Sequence, residues 1–162
     1  MNIILAAAAF ALCTAGGLYK SALLKKRTAL LYELRQLVNG FSIGIRYTAP
    51  TLDKLADGCG GVFGQLLQQA RQNSPNIKSA WEAAAAQLAA LPFSDEGEAQ
   101  LIAQLGRELG TCDAAGQLSI LEMYAEQLKK LSEQAEENAA AKGKLLRSAG
   151  TLLGIGAAIL II

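Results

Sequence analysis

The chain has 162 residues, of which 52% are hydrophobic and 18% are charged, and its formal net charge is +1. Nucleic-acid-binding domains carry a strong positive charge, so this balance argues against a nucleic-acid partner. Histidine is absent, and with it the commonest protein metal ligand and the usual general base. We therefore expect no enzymatic activity, no metal, no cofactor and no small-molecule substrate.

The composition favours an all-α fold, because only three prolines occur and no stretch is enriched in β-branched residues. The three cysteines, Cys13, Cys59 and Cys112, lack the spacing of a zinc site or a disulfide framework. We interpret them as small buried apolar residues in a reducing compartment, with a reactive thiol as the alternative.

The charges are distributed unevenly along the chain. Residues 28–141 contain eight basic and all 14 acidic residues, a net charge of −6. The other seven basic residues form two clusters near the chain ends: Lys20, Lys25, Lys26 and Arg27 in the first, and Lys142, Lys144 and Arg147 in the second. Each cluster lies on the inner side of an uncharged run.

The N-terminal uncharged run, Met1–Tyr19, is long enough for a membrane helix. At 1.5 Å per residue it spans about 28 Å, close to the hydrocarbon thickness of about 30 Å. A cleaved signal peptide is the alternative, although no lysine or arginine precedes the apolar core. We predict a transmembrane helix at residues 1–19.

The C-terminal run, Ser148–Ile162, is shorter, and it reaches about 27 Å only when counted from Leu145 with Arg147 extending towards the interface. A buried core helix is the alternative, but fifteen consecutive uncharged residues leave no polar face. We predict a membrane-inserted helix at residues 148–162. Because both basic clusters face the middle of the chain, the positive-inside rule places residues 20–147 in the cytoplasm as a helical bundle.

The first helix is expected to continue past the basic cluster to about Arg46, because apolar residues recur at steps of three and four from Leu31 to Ile45. Thr48 is predicted as the N-cap of a short second helix, with Pro50 in its first turn. The sequence "DGCGG" then predicts a turn before a third amphipathic helix.

Capping residues predict the next helix starts. Ser74 is expected to cap a fourth helix with Pro75 as its first residue. Asp95 and Glu98 have the spacing of a capping box for a fifth helix. The acidic groups here and at Glu133–Glu137 are thus interpreted as a helix start and a solvated face rather than as catalytic pairs.

The stretch "LGRELGTCDAAGQ", residues 105–117, contains two glycines four residues apart. Gly110 is predicted as a left-handed C-cap and Asp113 as the N-cap of the last helix. Gly106 has no such role, so we expect another helix to cross closely there. The last helix has no proline and is expected to run unbroken into the membrane.

The order of these features resembles the stage III sporulation protein AB family. An N-terminal apolar segment and a Leu/Arg-rich helix precede Ile45-Arg46-Tyr47 and a Thr/Pro/Leu turn. Ala80-Trp81 follows in mid-chain, and then the spaced residues Gly106, Gly110, Asp113 and Gln117. A basic cluster and an apolar tail with Gly150 and Gly154 end the chain. The order Pro50-Thr51-Leu52 departs from the family's usual Thr-Pro-Leu, and Gly44 replaces a common glutamate.

The resemblance implies a small antiparallel helical bundle related to the cytoplasmic domain of type II secretion platform proteins. Its long first and last helices would continue into the two membrane anchors. It also implies a non-enzymatic platform in the channel between mother cell and forespore, anchored in the outer forespore membrane with its body in the mother-cell cytoplasm. The implied partners are a cytosolic secretion-type ATPase of the AA type and other membrane proteins of the complex.

Two interpretations of the motif stay open at this point. Gly106, Gly110, Asp113 and Gln117 could stabilise the bundle, or they could form a partner surface. Tyr47 and Trp81 are further candidates for a partner surface, although Trp81 is also a natural core residue. A secreted or surface-anchored helical bundle, with Met1–Tyr19 as signal peptide, is the alternative function.

Overall fold

The computed structural model describes residues 2–48 and 51–161, without the side chains of residues 2–10, 13, 147, 150, 151 and 153–161. In this described part the chain forms six helices and no strand. They are α1 (Asn2–Thr48), α2 (Leu52–Asp57), α3 (Gly61–Gln72), α4 (Ile77–Ala89), α5 (Glu96–Glu108) and α6 (Ala114–Ile161). The all-α prediction is therefore confirmed, and so is an unbroken last helix over the described residues.

The chain divides into two compact units, one formed by Met1–Thr28 with Glu133–Ile162 and the other by Ala29–Ser132. In the first unit, α1 and α6 come close at Ser21, which is buried. Its hydroxyl lies 3.4 Å from the position that a Cβ on Gly143 would take. A small residue on each helix therefore permits this approach.

No helix in the described part of the chain combines the length and apolar character needed to cross a membrane. The structure thus does not support the two predicted anchors. Both predictions fall largely on residues 2–10 and 153–161, whose side chains lie outside the described part, and on Met1 and Ile162, which lie outside it entirely.

The second unit has one apolar core, to which α1 contributes the predicted stripe. Its buried residues there include Leu31, Leu34, Val38, Phe41 and Ile45. Helix α3 packs on α4, and α4 packs on α5. These contacts are those of a helical bundle.

The starts of α2, α4 and α5 confirm the predicted cap of α5 and correct the other two. Asp95 and Glu98 form the predicted capping box of α5. Helix α4, however, is capped by Asn76, whose side chain accepts a hydrogen bond from the Ser79 N–H at 2.9 Å, so the prediction of Ser74 is wrong. Thr48 is still part of α1 and donates its hydroxyl to the Gly44 carbonyl at 2.9 Å. Helix α2 begins after Thr51 instead.

Helix α3 begins with a contact that lies far away in the sequence. Gly61 has a φ of +71°, in the left-handed region that favours glycine. The next residue, Val62, donates its N–H to Oε2 of Glu33 on α1 at 2.9 Å. A carboxylate at a helix N-terminus also interacts favourably with the helix dipole. Glu33 therefore fixes the start of α3 against α1.

Candidate functional site

The turn between α5 and α6 requires a glycine. Gly110 follows the C-cap residue Leu109 and has a φ of +78°, which is the left-handed C-cap that the sequence predicts. A side chain there would meet no other atom within 4 Å, so the requirement comes from the backbone alone. Thr111 tightens the same turn by donating its hydroxyl to the Glu108 carbonyl at 2.6 Å.

Asp113 and Gln117 hold the start of α6. The Asp113 carboxylate accepts a hydrogen bond from the Gly116 N–H at 3.0 Å, which confirms it as the N-cap. The Gln117 side chain donates back to the Cys112 carbonyl at 2.9 Å. Three of the four motif residues thus define one turn.

Gly106 belongs to a different contact. A Cβ on this residue would lie 2.6 Å from Cγ of Trp81, on the neighbouring helix α4, and closer still to Cδ1 and Nε1 of the same ring. The prediction that another helix crosses closely at Gly106 is therefore confirmed. The Trp81 indole donates to the Ile102 carbonyl at 2.8 Å, so the ring is held against α5 by a hydrogen bond as well.

Trp81 lies in the core and is not a partner surface. Its exposed fraction is 0%, and its ring packs against Phe63 at 4.9 Å and Phe41 at 6.0 Å between centroids. The prediction of a partner contact at Trp81 is wrong, because the missing side chain at Gly106 makes room for the indole inside the bundle. Tyr47, by contrast, has 79% of its side chain exposed at the end of α1.

A cleft of about 330 Å³ lies beside the α5–α6 turn. Three parts of the second unit meet there: the first turn of α2, the first turn of α4 and the turn between α5 and α6. The lining includes Thr51, Leu52, Ile77, Lys78, Gly110 and Gln117. Lys78 and Thr51 are exposed, whereas Leu52 and Ile77 are partly buried. The cleft therefore has a partly apolar wall with one cation at its rim.

Sequence reasoning missed Thr51 and Lys78 as members of this cleft. Thr51 caps α2 and Lys78 lies in the first turn of α4, both far from Gly110 in the sequence, and neither has a motif of its own. Only the Thr/Pro/Leu turn in the resemblance pointed to the first of them.

A half-buried thiol and a buried phenol have clearly raised pKa values. Burial raises the pKa of the Cys59 thiol to about 12; the nearby Arg71 opposes this shift and Asp57 adds to it. Burial also raises the pKa of the Tyr124 phenol to about 12, with Glu108 contributing through its charge and a hydrogen bond. Both groups therefore stay neutral at physiological pH.

The cysteines only partly match their prediction. Cys59 is half-buried, whereas Cys112 is exposed, so the prediction of a buried side chain is wrong for Cys112. The side chain of Cys13 lies outside the described part. Among the described residues, no group of three or more histidine, cysteine, aspartate or glutamate residues could hold a metal ion.

The basic clusters are mostly solvent-exposed. Lys20, Lys25, Lys26, Lys142 and Lys144 are exposed and Arg27 is partly buried, while the side chain of Arg147 lies outside the described part.

Residues 2–162 match the family model described as stage III sporulation protein AB. The match covers the whole chain apart from Met1 and confirms the resemblance drawn from the sequence. Neither a curated protein nor a solved structure matches the chain.

Proposed function

Because the chain belongs to the stage III sporulation protein AB family, we propose that it is a non-enzymatic platform of the channel joining mother cell and forespore. A role in stage III of sporulation follows from the family itself. The finer proposal is that the second unit docks a cytosolic secretion-type ATPase of the AA type.

The observation that carries the docking proposal is the cleft beside the α5–α6 turn. Its backbone is fixed by the Asp113 and Gln117 hydrogen bonds, and binding surfaces often lie on connections held by a rigid scaffold. The exposed Tyr47 lies in the last turn of α1, four residues before Thr51 of the cleft. Tyrosine is enriched in the energetically important centres of protein interfaces.

Charge supports a partner with a basic surface. The second unit carries more acidic than basic residues, since its sequence, Ala29–Ser132, contains 11 acidic and eight basic side chains. A complementary basic surface on the ATPase would speed its encounter with this unit, whereas Lys78 at the cleft itself would pair with an acidic side chain of the ATPase.

The proposed location is a membrane, with the other membrane proteins of the same complex as further partners. Support comes from the sequence alone: the uncharged runs 1–19 and 148–162 and the basic clusters beside them. We propose the outer forespore membrane, with residues 20–147 in the mother-cell cytoplasm. The secreted alternative predicts a mature chain shortened by roughly 15–20 residues, which intact-mass measurement would detect.

The docking proposal is tested by measuring the affinity of a purified AA-type ATPase for the full chain in lipid nanodiscs. Tyr47→Ala and Lys78→Glu should each weaken binding at least about tenfold, as expected for the loss of an important interface residue, while the melting temperature stays unchanged. Lys130→Glu, an equivalent charge reversal on the exposed surface of α6, is the control and should bind normally. If the wild-type chain does not bind, ATPase docking is wrong; if both variants bind normally, the cleft is the wrong surface.

A further inference from the structure

A second surface of the Ala29–Ser132 unit is a groove of about 540 Å³ along α1. Leu37, Phe41 and Leu55 line it, and all three are largely buried, so its floor is apolar. Its rim is formed by Gln36 and Gly40 on α1 and by the connection between α2 and α3. The groove is separate from the cleft beside the α5–α6 turn and shares with it only the side chain of Leu55.

Gly40 stands in the interior of α1 without a packing reason in this chain. Glycine is less favourable than alanine at such a position. A Cβ on Gly40 would meet nothing within 4 Å, in contrast to Gly106, where Trp81 occupies the space. The missing side chain keeps the groove open to a second molecule.

Large apolar side chains continue this surface along the helix. Tyr32, Gln36, Gly40 and Ile43 follow at steps of four, four and three, which places them on one face of α1. Tyr32 is 55% exposed and Ile43 is 61% exposed. Two large exposed apolar side chains that flank a groove with an apolar floor favour a protein-binding surface.

The charges beside this face are positive. Arg35 and Arg46 lie along one side of the Tyr32–Ile43 row by helical spacing, and Lys54 lies on the opposite side of the groove. The nearby carboxylate of Glu33 already accepts the Val62 N–H. Two copies paired through this same face would bring their cations together, so an acidic surface is the better complement.

Helix α6 of the same unit carries a surface of that chemistry. Met123 is 47% exposed, and the exposed Glu122 and Glu126 lie together along one side of it. Methionine is flexible and fills irregular apolar grooves well. The carboxylates on one side of Met123 match the arginines on one side of the Gly40 row.

We propose that the groove of α1 binds the Met123 face of α6 from a second copy of this chain. Met123 would enter the groove at Gly40, with Glu122 and Glu126 opposite Arg35 and Arg46. The two faces differ, so each copy can bind one neighbour through α1 and another through α6. Such a head-to-tail contact produces a closed ring or an extended chain of copies.

Charge reversal tests this contact in the full chain by sedimentation equilibrium in density-matched detergent. The wild-type chain should associate reversibly as its concentration rises. Arg35→Glu with Arg46→Glu should weaken association at least tenfold, and so should Glu122→Arg with Glu126→Arg. An equimolar mixture of these two double variants should restore pairing, because the reversed α1 face of one fits the reversed α6 face of the other.

Gly40 provides an independent test. Gly40→Leu should block the groove and weaken association at least tenfold, whereas Gln100→Leu, which adds a leucine at an exposed position of α5, should leave association unchanged. The proposal is overturned if the wild-type chain stays monomeric, if association survives both charge reversals, or if the mixture fails to pair. It is also overturned if Gly40→Leu leaves self-association intact and abolishes binding of the AA-type ATPase, which would assign the groove to that partner.

Discussion

The contact between Gly106 and Trp81 leads to the sharpest stability prediction. In Gly106→Ala the added methyl group would lie 2.6 Å from Cγ of the indole ring, too close for any real carbon. Because the ring is fully buried between α4, α5 and two phenylalanines, it cannot move without disturbing the core. Its hydrogen bond to the Ile102 carbonyl would be strained or lost.

The expected loss of stability can be assembled from three contributions. Forcing an extra group into a packed core costs about 1–3 kcal/mol. Leaving a buried hydrogen-bonding group without its partner costs about 1–3 kcal/mol. Alanine regains about 1 kcal/mol through its better helix propensity. The free energy of unfolding should therefore fall by about 3 kcal/mol. In a chain of 162 residues this lowers the melting temperature by about 6–12 °C.

Chemical and thermal denaturation followed by tryptophan fluorescence measure this change directly, since Trp81 is the single tryptophan of the chain. Gly97→Ala on the same helix is the matched control, because a Cβ there makes only an ordinary contact of 3.6 Å with the Asp95 carboxylate. The control should keep or slightly raise the stability. Gly106→Ala with wild-type stability and unshifted Trp81 emission would refute the packing argument.

Three further predictions concern single contacts or titrations. Glu33→Ala should lower the unfolding free energy by about 1–3 kcal/mol, because the backbone N–H at the start of α3 loses its carboxylate acceptor. At pH 8 a thiol reagent should modify the exposed Cys112 at least about tenfold faster than Cys59, whose raised pKa keeps it protonated; peptide mass spectrometry distinguishes the two. The Tyr124 phenol has a pKa of about 12 in the folded chain against 10.0 ordinarily. The phenol therefore stabilises the folded chain fully below pH 10, and this stabilisation is lost as the pH rises towards 12. The free energy of unfolding then falls by up to about 1.4 kcal/mol per pH unit, and Tyr124→Phe should remove this part of the pH dependence.

Each of these predictions has an outcome that contradicts it. Equal stability of Glu33→Ala and of the control Gln36→Ala, an exposed neighbour on α1, would mean that the cap of α3 contributes nothing. Equal labelling rates for the two cysteines would show that Cys59 is accessible and ionisable. An unchanged alkaline slope in Tyr124→Phe would place the titration elsewhere.

Local patterns predicted those parts of the fold that depend on neighbouring residues. The three-and-four spacing from Leu31 to Ile45 gave the buried face of α1, because that spacing follows from helix geometry. Asp113 was identifiable as a cap because its acceptor reaches the Gly116 N–H three residues later. A glycine inside a helix, at Gly106, predicted that another helix packs closely there, but the sequence did not show that Trp81 is the side chain in contact.

Contacts between distant residues could not be predicted in this way. Glu33 and Val62 are 29 positions apart, and no local pattern links an acid on one helix to the start of another. The sequence pattern favoured Ser74 as the cap of α4, but Asn76 takes that role because its side chain binds both the N–H and the hydroxyl of Ser79. The cleft beside Gly110 could not be predicted either, because residues from three distant parts of the sequence line it.

The central claim, that the AA-type ATPase docks at the cleft beside the α5–α6 turn, is tested most directly by hydrogen–deuterium exchange. The full chain in nanodiscs would be compared with and without the ATPase. We predict slower exchange in peptides covering residues 51–55, 77–80 and 109–117, and unchanged exchange in residues 65–69 on the outer part of α3. Unchanged exchange in the first three regions at a saturating ATPase concentration, or protection confined to another surface, would contradict the claim.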